Sequence, residues 1–132
     1  MKTGGAILFG LILLLALSNC ANDKSKDNNC QTCSTVSFKN DIIPLFAANC
    51  ALSGCHISAS GANHNVALDS ANAYTSIMRT GTGIVVAGNP NNSILYMQMV
   101  PGGSPIMPPT GQLDACTSHK IYCWILQGAL NN

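Results

Sequence analysis

Apolar positions along this chain fall into a few short blocks, separated by long polar or glycine-rich stretches. The first block, residues 6–17, carries no charge and follows Lys2. It is too short to span a bilayer comfortably and suits the core of a signal peptide; a retained membrane anchor is the alternative. Ala21 to Asn29 (ANDKSKDNN) has no large apolar side chain and reads as a disordered tether, roughly 30 Å long when extended. Order is expected from about Val36. Asn40 or Asp41 can cap a helix that tolerates Pro44 near its start, with Ile42, Ile43, Leu45 and Phe46 as its apolar side leading into Cys50.

From Ile57 to Val66 the residues are small and polar, which predicts a loop. Ser70 to Met78 predicts a short helix capped by Ser70, with Ala73, Tyr74, Ile77 and Met78 on one face. Thr80 to Gly88 is broken by glycine around an extended, buried Ile84-Val85-Val86. Asn89-Pro90 opens another short helix, Asn92 to Met99, with Ile94, Leu95 and either Met97 or Met99 facing inward. Pro101 to Gly111 (PGGSPIMPPTG) is excluded from helix and central strand by its prolines. Asp114 to Gln127 is the best helix, with Asp114 as cap, Gly128 as stop and Ile121, Trp124, Ile125 and Leu126 as apolar bulk. The pattern predicts a small all-α fold with long loops. It divides as a signal peptide (1–19), a tether (20–35) and one domain (36–132).

Composition narrows the function classes. After Cys20 the five cations Lys24, Lys26, Lys39, Arg79 and Lys120 balance five aspartates, so no basic patch favours nucleic acid. The chain contains no glutamate, and no Ser–His–Asp spacing suggests catalysis, so no enzyme activity is expected. Leu17-Ser18-Asn19-Cys20 resembles the lipobox of bacterial lipoproteins, which implies a lipid anchor on Cys20 and a membrane-held protein of the envelope, the outer membrane being the expected site.

Export gives the remaining cysteines their meaning, because thiols outside the cytosol are oxidised or committed to a ligand. Cys50-Ala51-Leu52-Ser53-Gly54-Cys55-His56 is a widened form of the Cys-x-x-Cys-His haem-attachment pattern. Two thioethers, from Cys50 and Cys55, would pin one porphyrin edge and leave His56 as proximal iron ligand. The wider gap must bulge, which Gly54 and its small neighbours permit. A Cys50–Cys55 disulfide and a two-knuckle zinc site with Cys30 and Cys33 are the competing readings.

Lipid and haem account for three cysteines and leave Cys30, Cys33, Cys116 and Cys123, an even set. Cys116 and Cys123 lie on one helix face about 10.5 Å apart along the axis, too far to bridge each other. Each is expected to pair with one of Cys30 and Cys33; a Cys30–Cys33 bridge with two helix thiols is the alternative. Met107, braced by Pro105, Pro108 and Pro109, is a soft sulfur in a stiff loop and suits a distal axial ligand. Met97 and Met99 lack that setting and read as core, and His64 and His119 as solvated side chains.

Taken in order, several segments together resemble the small cytochrome c domains of exported bacterial proteins. They are Asp41 to Phe46, Asn49 to His56, Ala73-Tyr74, Gly88-Asn89-Pro90 with Ser93 to Tyr96, Met107-Pro108-Pro109, and Trp124-Ile125 with Gln127 to Ala129. The resemblance covers Val36 to Asn132 and implies a cytochrome c-like helical fold around one covalent haem c per chain. It implies thioethers at Cys50 and Cys55 and iron ligation by His56 and Met107. The expected function is single-electron transfer with redox partner proteins of the envelope. A cofactor-free, disulfide-stabilised surface lipoprotein that binds another protein is the alternative. A copper protein is disfavoured, because the spacing of His56, His64 and Met107 lacks a cysteine between the later ligands.

Overall fold

The computed structural model describes residues 30–132, so Cys20, the apolar run and the tether through Asn29 lie outside the described residues. Among the described residues all regular structure is helical: α1 (Ile43–Asn49), α2 (Ala73–Ile77), α3 (Ile94–Met97) and α4 (Ala115–Leu126), with no strand. The all-α expectation holds, and the long connections hold with it. No described helix is long and apolar enough to cross a membrane.

Helix starts are set by short polar side chains, not always those expected. Before α1 runs a wide π-helical turn, Phe38–Ile42, capped by Ser37 instead of Asn40 or Asp41. The Ser37 hydroxyl accepts from the Asn40 N–H, while the Asp41 carboxylate accepts from the Ser37 N–H at 2.9 Å. This reciprocal arrangement satisfies donors that a helix end leaves open, and it moves the start one turn upstream. Before α2 the N-cap position is Asn72, without a side-chain cap bond, and Asp69, not Ser70, holds the turn leading into it: its carboxylate accepts from the N–H groups of Ala71 and Asn72. At α4 the expected Asp114 cap is in place, accepting from the N–H groups of Cys116 and Thr117. Gly128, at φ 99°, ends the helix in a conformation that favours glycine.

The expected Asn92–Met99 helix is split. Pro90–Asn92 forms a single 3₁₀ turn, and Ser93 then interrupts before α3. Ser93 is fully buried, its hydroxyl donating to the Asn89 carbonyl and accepting from the Val86 N–H, both at 2.9 Å. Those two bonds require an extended Ser93, which breaks the helix. Downstream, Met99 is buried while Met97 stands 40 % exposed, so Met99 is the inward methionine.

The core is an aromatic knot. Phe38 meets Phe46 of α1, Tyr74 of α2 and Trp124 of α4, with ring centroids 6.3, 5.2 and 5.1 Å away. Ile42, Phe46, Ile77, Ile121, Trp124 and Ile125 are fully buried around it. The polar handles of the rings are satisfied nearby: the Trp124 indole donates to the Leu130 carbonyl and the Tyr74 hydroxyl to that of Ala129. Among the described residues, no buried side-chain nitrogen or oxygen lacks a partner.

Two disulfides fasten the beginning of the described chain to its last helix: Cys30–Cys116 and Cys33–Cys123. The expectation that each helix cysteine pairs with one of Cys30 and Cys33 is met, and a Cys30–Cys33 bridge is excluded. Gln127 reinforces the seam, accepting from the Val36 N–H and donating to the Ser34 carbonyl. Residues 30–35 are therefore tied down ahead of Val36.

Candidate functional site

Cys50, Cys55 and His56 form one closed loop at the end of α1. Cys50 ends α1 with its N–H on the Phe46 carbonyl, and the His56 N–H returns to the Cys50 carbonyl at 3.1 Å. The bulge between the cysteines turns at Gly54, whose φ of 78° lies in the left-handed region, as the wide spacing required. Cys50 and Cys55 carry free thiols, unlike Cys30, Cys33, Cys116 and Cys123. With Cys30 and Cys33 engaged elsewhere, the two-knuckle zinc site is ruled out. Burial, with a smaller contribution from nearby Cys55, pushes the Cys50 thiol up to about 11. At neutral pH that sulfur stays protonated.

The His56 ring is held from the far side of the loop. Its Nδ1 lies 2.9 Å from the Val66 carbonyl oxygen. A carbonyl only accepts, so Nδ1 carries the proton, and in the neutral ring the lone pair sits on Nε2. Metal-binding histidines characteristically use such a bond to fix tautomer and ring orientation. The same strip grips the backbone too, since the Leu68 N–H donates to the His56 carbonyl at 2.8 Å. Ser76, on α2, pins the strip in turn by accepting from the Ala67 N–H at 2.8 Å. Thus α2, distant in sequence, sets the orientation of the imidazole.

Asn63 braces the cysteine loop from inside the Ile57–Val66 segment. Its side-chain amide donates to the carbonyls of Cys55 and Ser58, while its oxygen accepts from the Ser60 N–H. All three bonds are 2.7–2.8 Å long, and the residue is buried. Neither Asn63 nor the Val66 carbonyl announced itself in the sequence. The asparagine is one of several in a polar loop, and a carbonyl has no sequence signature.

Met107 sits apart from this unit, half-buried in the proline-rich loop. Among the described residues no hydrogen bond joins it to the cysteine–histidine loop. Its N–H donates to the Gln98 carbonyl at 2.8 Å, tying the loop to the end of α3. Gly103 makes that approach possible: a Cβ there would fall 2.6 Å from the Met97 carbonyl oxygen and 2.9 Å from the Gln98 Cα. Ala51, Leu68, Ile84 and Met99 belong to one core cluster. Leu52, Ile57, Ile94, Met97 and Ile106 are each more than a third exposed.

The remaining candidates have other duties. His64 is exposed in a left-handed turn, with φ 54°. Trp124 is core, Tyr96 packs edge-on against Tyr122, and the Arg79 guanidinium donates to the Ser76 carbonyl. Two shallow grooves, one beside Trp124 and one between Pro44 and Lys120, are lined by none of Cys50, Cys55, His56 and Met107.

Fold and site together define a small all-α domain, doubly bridged, that presents a free-thiol Cys–Cys–His loop. No family model, curated relative or solved structure matches the chain.

Proposed function

We propose that the protein is a single-electron carrier, a c-type monohaem cytochrome held in the bacterial envelope through a lipid on Cys20. The observation that carries this reading is the His56–Val66 hydrogen bond, which presents Nε2 as a ligand nitrogen directly after two uncommitted thiols. The donor set suits haem c: sulfurs at Cys50 and Cys55 for thioethers, the imidazole of His56 and the thioether of Met107 for the axial positions. When bound, haem would supply a reversible ferrous/ferric couple, raised in potential by a His/Met axial pair relative to two imidazoles.

The chain's own residues prepare for that group in three ways. Val66 and Leu68 hold His56 in one orientation, so little rotamer freedom remains to be lost on ligation. Cys50 and Cys55 both keep free thiols, as addition across two vinyl groups requires. Exposed Leu52 and Ile57 flank the Cys55-His56 pair along the chain and exposed Ile106 precedes Met107, so apolar side chains adjoin the candidate ligands in sequence. Two filled axial positions would leave no open site for oxygen or peroxide, which favours a carrier over an enzyme.

The test is a visible spectrum of the full-length protein purified from the envelope of a bacterium with cytochrome c maturation. The expected result is a reduced haem c spectrum that survives acid–acetone extraction. A colourless product would overturn the reading in favour of a cofactor-free lipoprotein.

A further inference from the structure

The Cys33–Cys123 bridge has a histidine beside it. His119 Nε2 lies 3.8 Å from Cys33 Sγ, and the Cys33, His119 and Cys123 ligand atoms all fall within 4.8 Å of one another. We propose that this bridge is a redox-gated metal site: opened by a dithiol, Cys33, Cys123 and His119 bind one thiophilic d¹⁰ cation, Zn²⁺ or Cu⁺. The proposal is independent of the haem reading, since Cys50, Cys55, His56 and Met107 take no part.

The geometry is close to that of the bound state. Zinc–sulfur bonds of about 2.3 Å and zinc–nitrogen bonds of about 2.0–2.1 Å place tetrahedral ligand atoms roughly 3.5–3.8 Å apart. His119 already stands at that spacing from Cys33, and all three ligand atoms lie within 4.8 Å of one another, so the two sulfurs must part with only small adjustments elsewhere. The imidazole is also oriented, its ring stacked on Tyr122 with planes 12° apart and centroids at 5.5 Å. Two sulfurs and one imidazole form a soft set that prefers these ions to magnesium or calcium. Because Cys33 is exposed, water can fill a fourth position.

Accessibility decides how the bridge opens. Cys33 is exposed whereas Cys123 is 2 % exposed, so an incoming thiolate reaches the Cys33 sulfur. Attack there forms a mixed disulfide and releases Cys123 as thiolate, which takes a proton from solvent. The second thiol of the reductant then attacks the mixed disulfide, frees Cys33 and closes its own ring disulfide. Two electrons and two protons pass to the protein, and metal binding later displaces the two thiol protons. The fold is built to survive this, because Cys30–Cys116 still joins the same two segments. Cys33, three residues from Cys30, stays within about 10 Å of that anchor.

The experiment treats full-length protein with dithiothreitol only until peptide mapping shows Cys33–Cys123 opened and Cys30–Cys116 intact, removes the reductant anaerobically and adds Zn²⁺ alone. Native mass spectrometry should find one more zinc per chain than in the Cys33→Ser/Cys123→Ser variant treated identically. Zinc should shield Cys33 and Cys123 from alkylation, and circular dichroism should retain the helices. His119→Gln should weaken zinc binding more than ~100-fold, beyond the ~10–100-fold cost of disturbing an outer-shell partner; His119→Cys, which keeps a soft ligand, should restore it. The proposal is overturned if Cys30–Cys116 opens before Cys33–Cys123, if no additional zinc binds, if zinc leaves Cys33 and Cys123 open to alkylation, if opening Cys33–Cys123 alone loses the helices, or if His119→Gln binds as wild type does.

Discussion

The imidazole of His56 donates its Nδ1 proton to the carbonyl of Val66, ten residues further on, at 2.9 Å. That bond turns a histidine that merely follows a cysteine into one with a defined tautomer and direction. His56→Ala is expected to yield protein without stably bound haem, read as loss of the visible spectrum in envelope-purified material. His56→Ala retaining full haem would show that another residue holds the iron.

Met107 reaches its position only because Gly103 lets the proline-rich loop pass over the end of α3. Gly103→Ala should therefore act at a distance. The added methyl meets backbone, not a yielding side chain, and overpacking of this kind costs about 1–3 kcal/mol. Its signature should be a weakened sulfur-to-ferric absorption band together with a lowered denaturation midpoint. Met107→Ala should remove the band entirely and leave the iron high-spin or on a substitute ligand.

Asn63 holds the Cys55 carbonyl through a buried amide with three hydrogen bonds. Asn63→Ala leaves those partners unsatisfied, at about 1–3 kcal/mol for each group that water cannot reach. The variant should be less stable and should accumulate chains with haem attached through one thioether, visible in intact mass after mild proteolysis. Asn63→Asp keeps the acceptor for Ser60 but turns a buried carboxylate oxygen toward the Cys55 and Ser58 carbonyls, so it should be at least as damaging as Asn63→Ala.

The two bridges close nearly the same loop, with sequence separations of 86 and 90. Once one is formed, the second restrains only the short segments between them. Removing one of these interleaved pairs by Cys30→Ser/Cys116→Ser should cost about 3 kcal/mol, the figure for a loop of some 15 residues rather than the larger one for a loop near 100. Urea denaturation followed by circular dichroism measures the difference. Haem content should be unchanged.

Acid should weaken α4 at its start. Hydrogen bonds from the Thr117 side chain and from the Thr117 and Cys116 N–H groups hold the Asp114 carboxyl below its ordinary 3.8. A depressed carboxylate contributes stability that is fully present above the ordinary value and is lost as pH falls through the lower folded-state value. At neutral pH, Asp114→Ala should cost ~1 kcal/mol, as is typical for a helix cap. That gap between wild type and variant should close below pH 3.8, where wild type loses its advantage.

The features decided within a few residues were legible in the chain itself. Asp114 and Gly128 delimit α4 because a cap and a left-handed stop act on their own neighbours. The prolines around Met107 exclude helix for the same local reason, and Gly54 lets Cys50 and Cys55 bulge. Seven-residue spacing on a helix ruled out a Cys116–Cys123 bridge. Tertiary structure decided what depends on residues brought together from afar. It paired Cys30 with Cys116 and Cys33 with Cys123, a choice that composition and spacing leave open. It moved the first cap to Ser37, delayed the start of the third helix until after buried Ser93, and turned Met99 inward with Met97 outward. Above all, it laid the carbonyl of Val66 against His56 through a strip pinned by Ser76 on α2. A backbone oxygen is identical in every residue, so only the folded path of the chain can single one out.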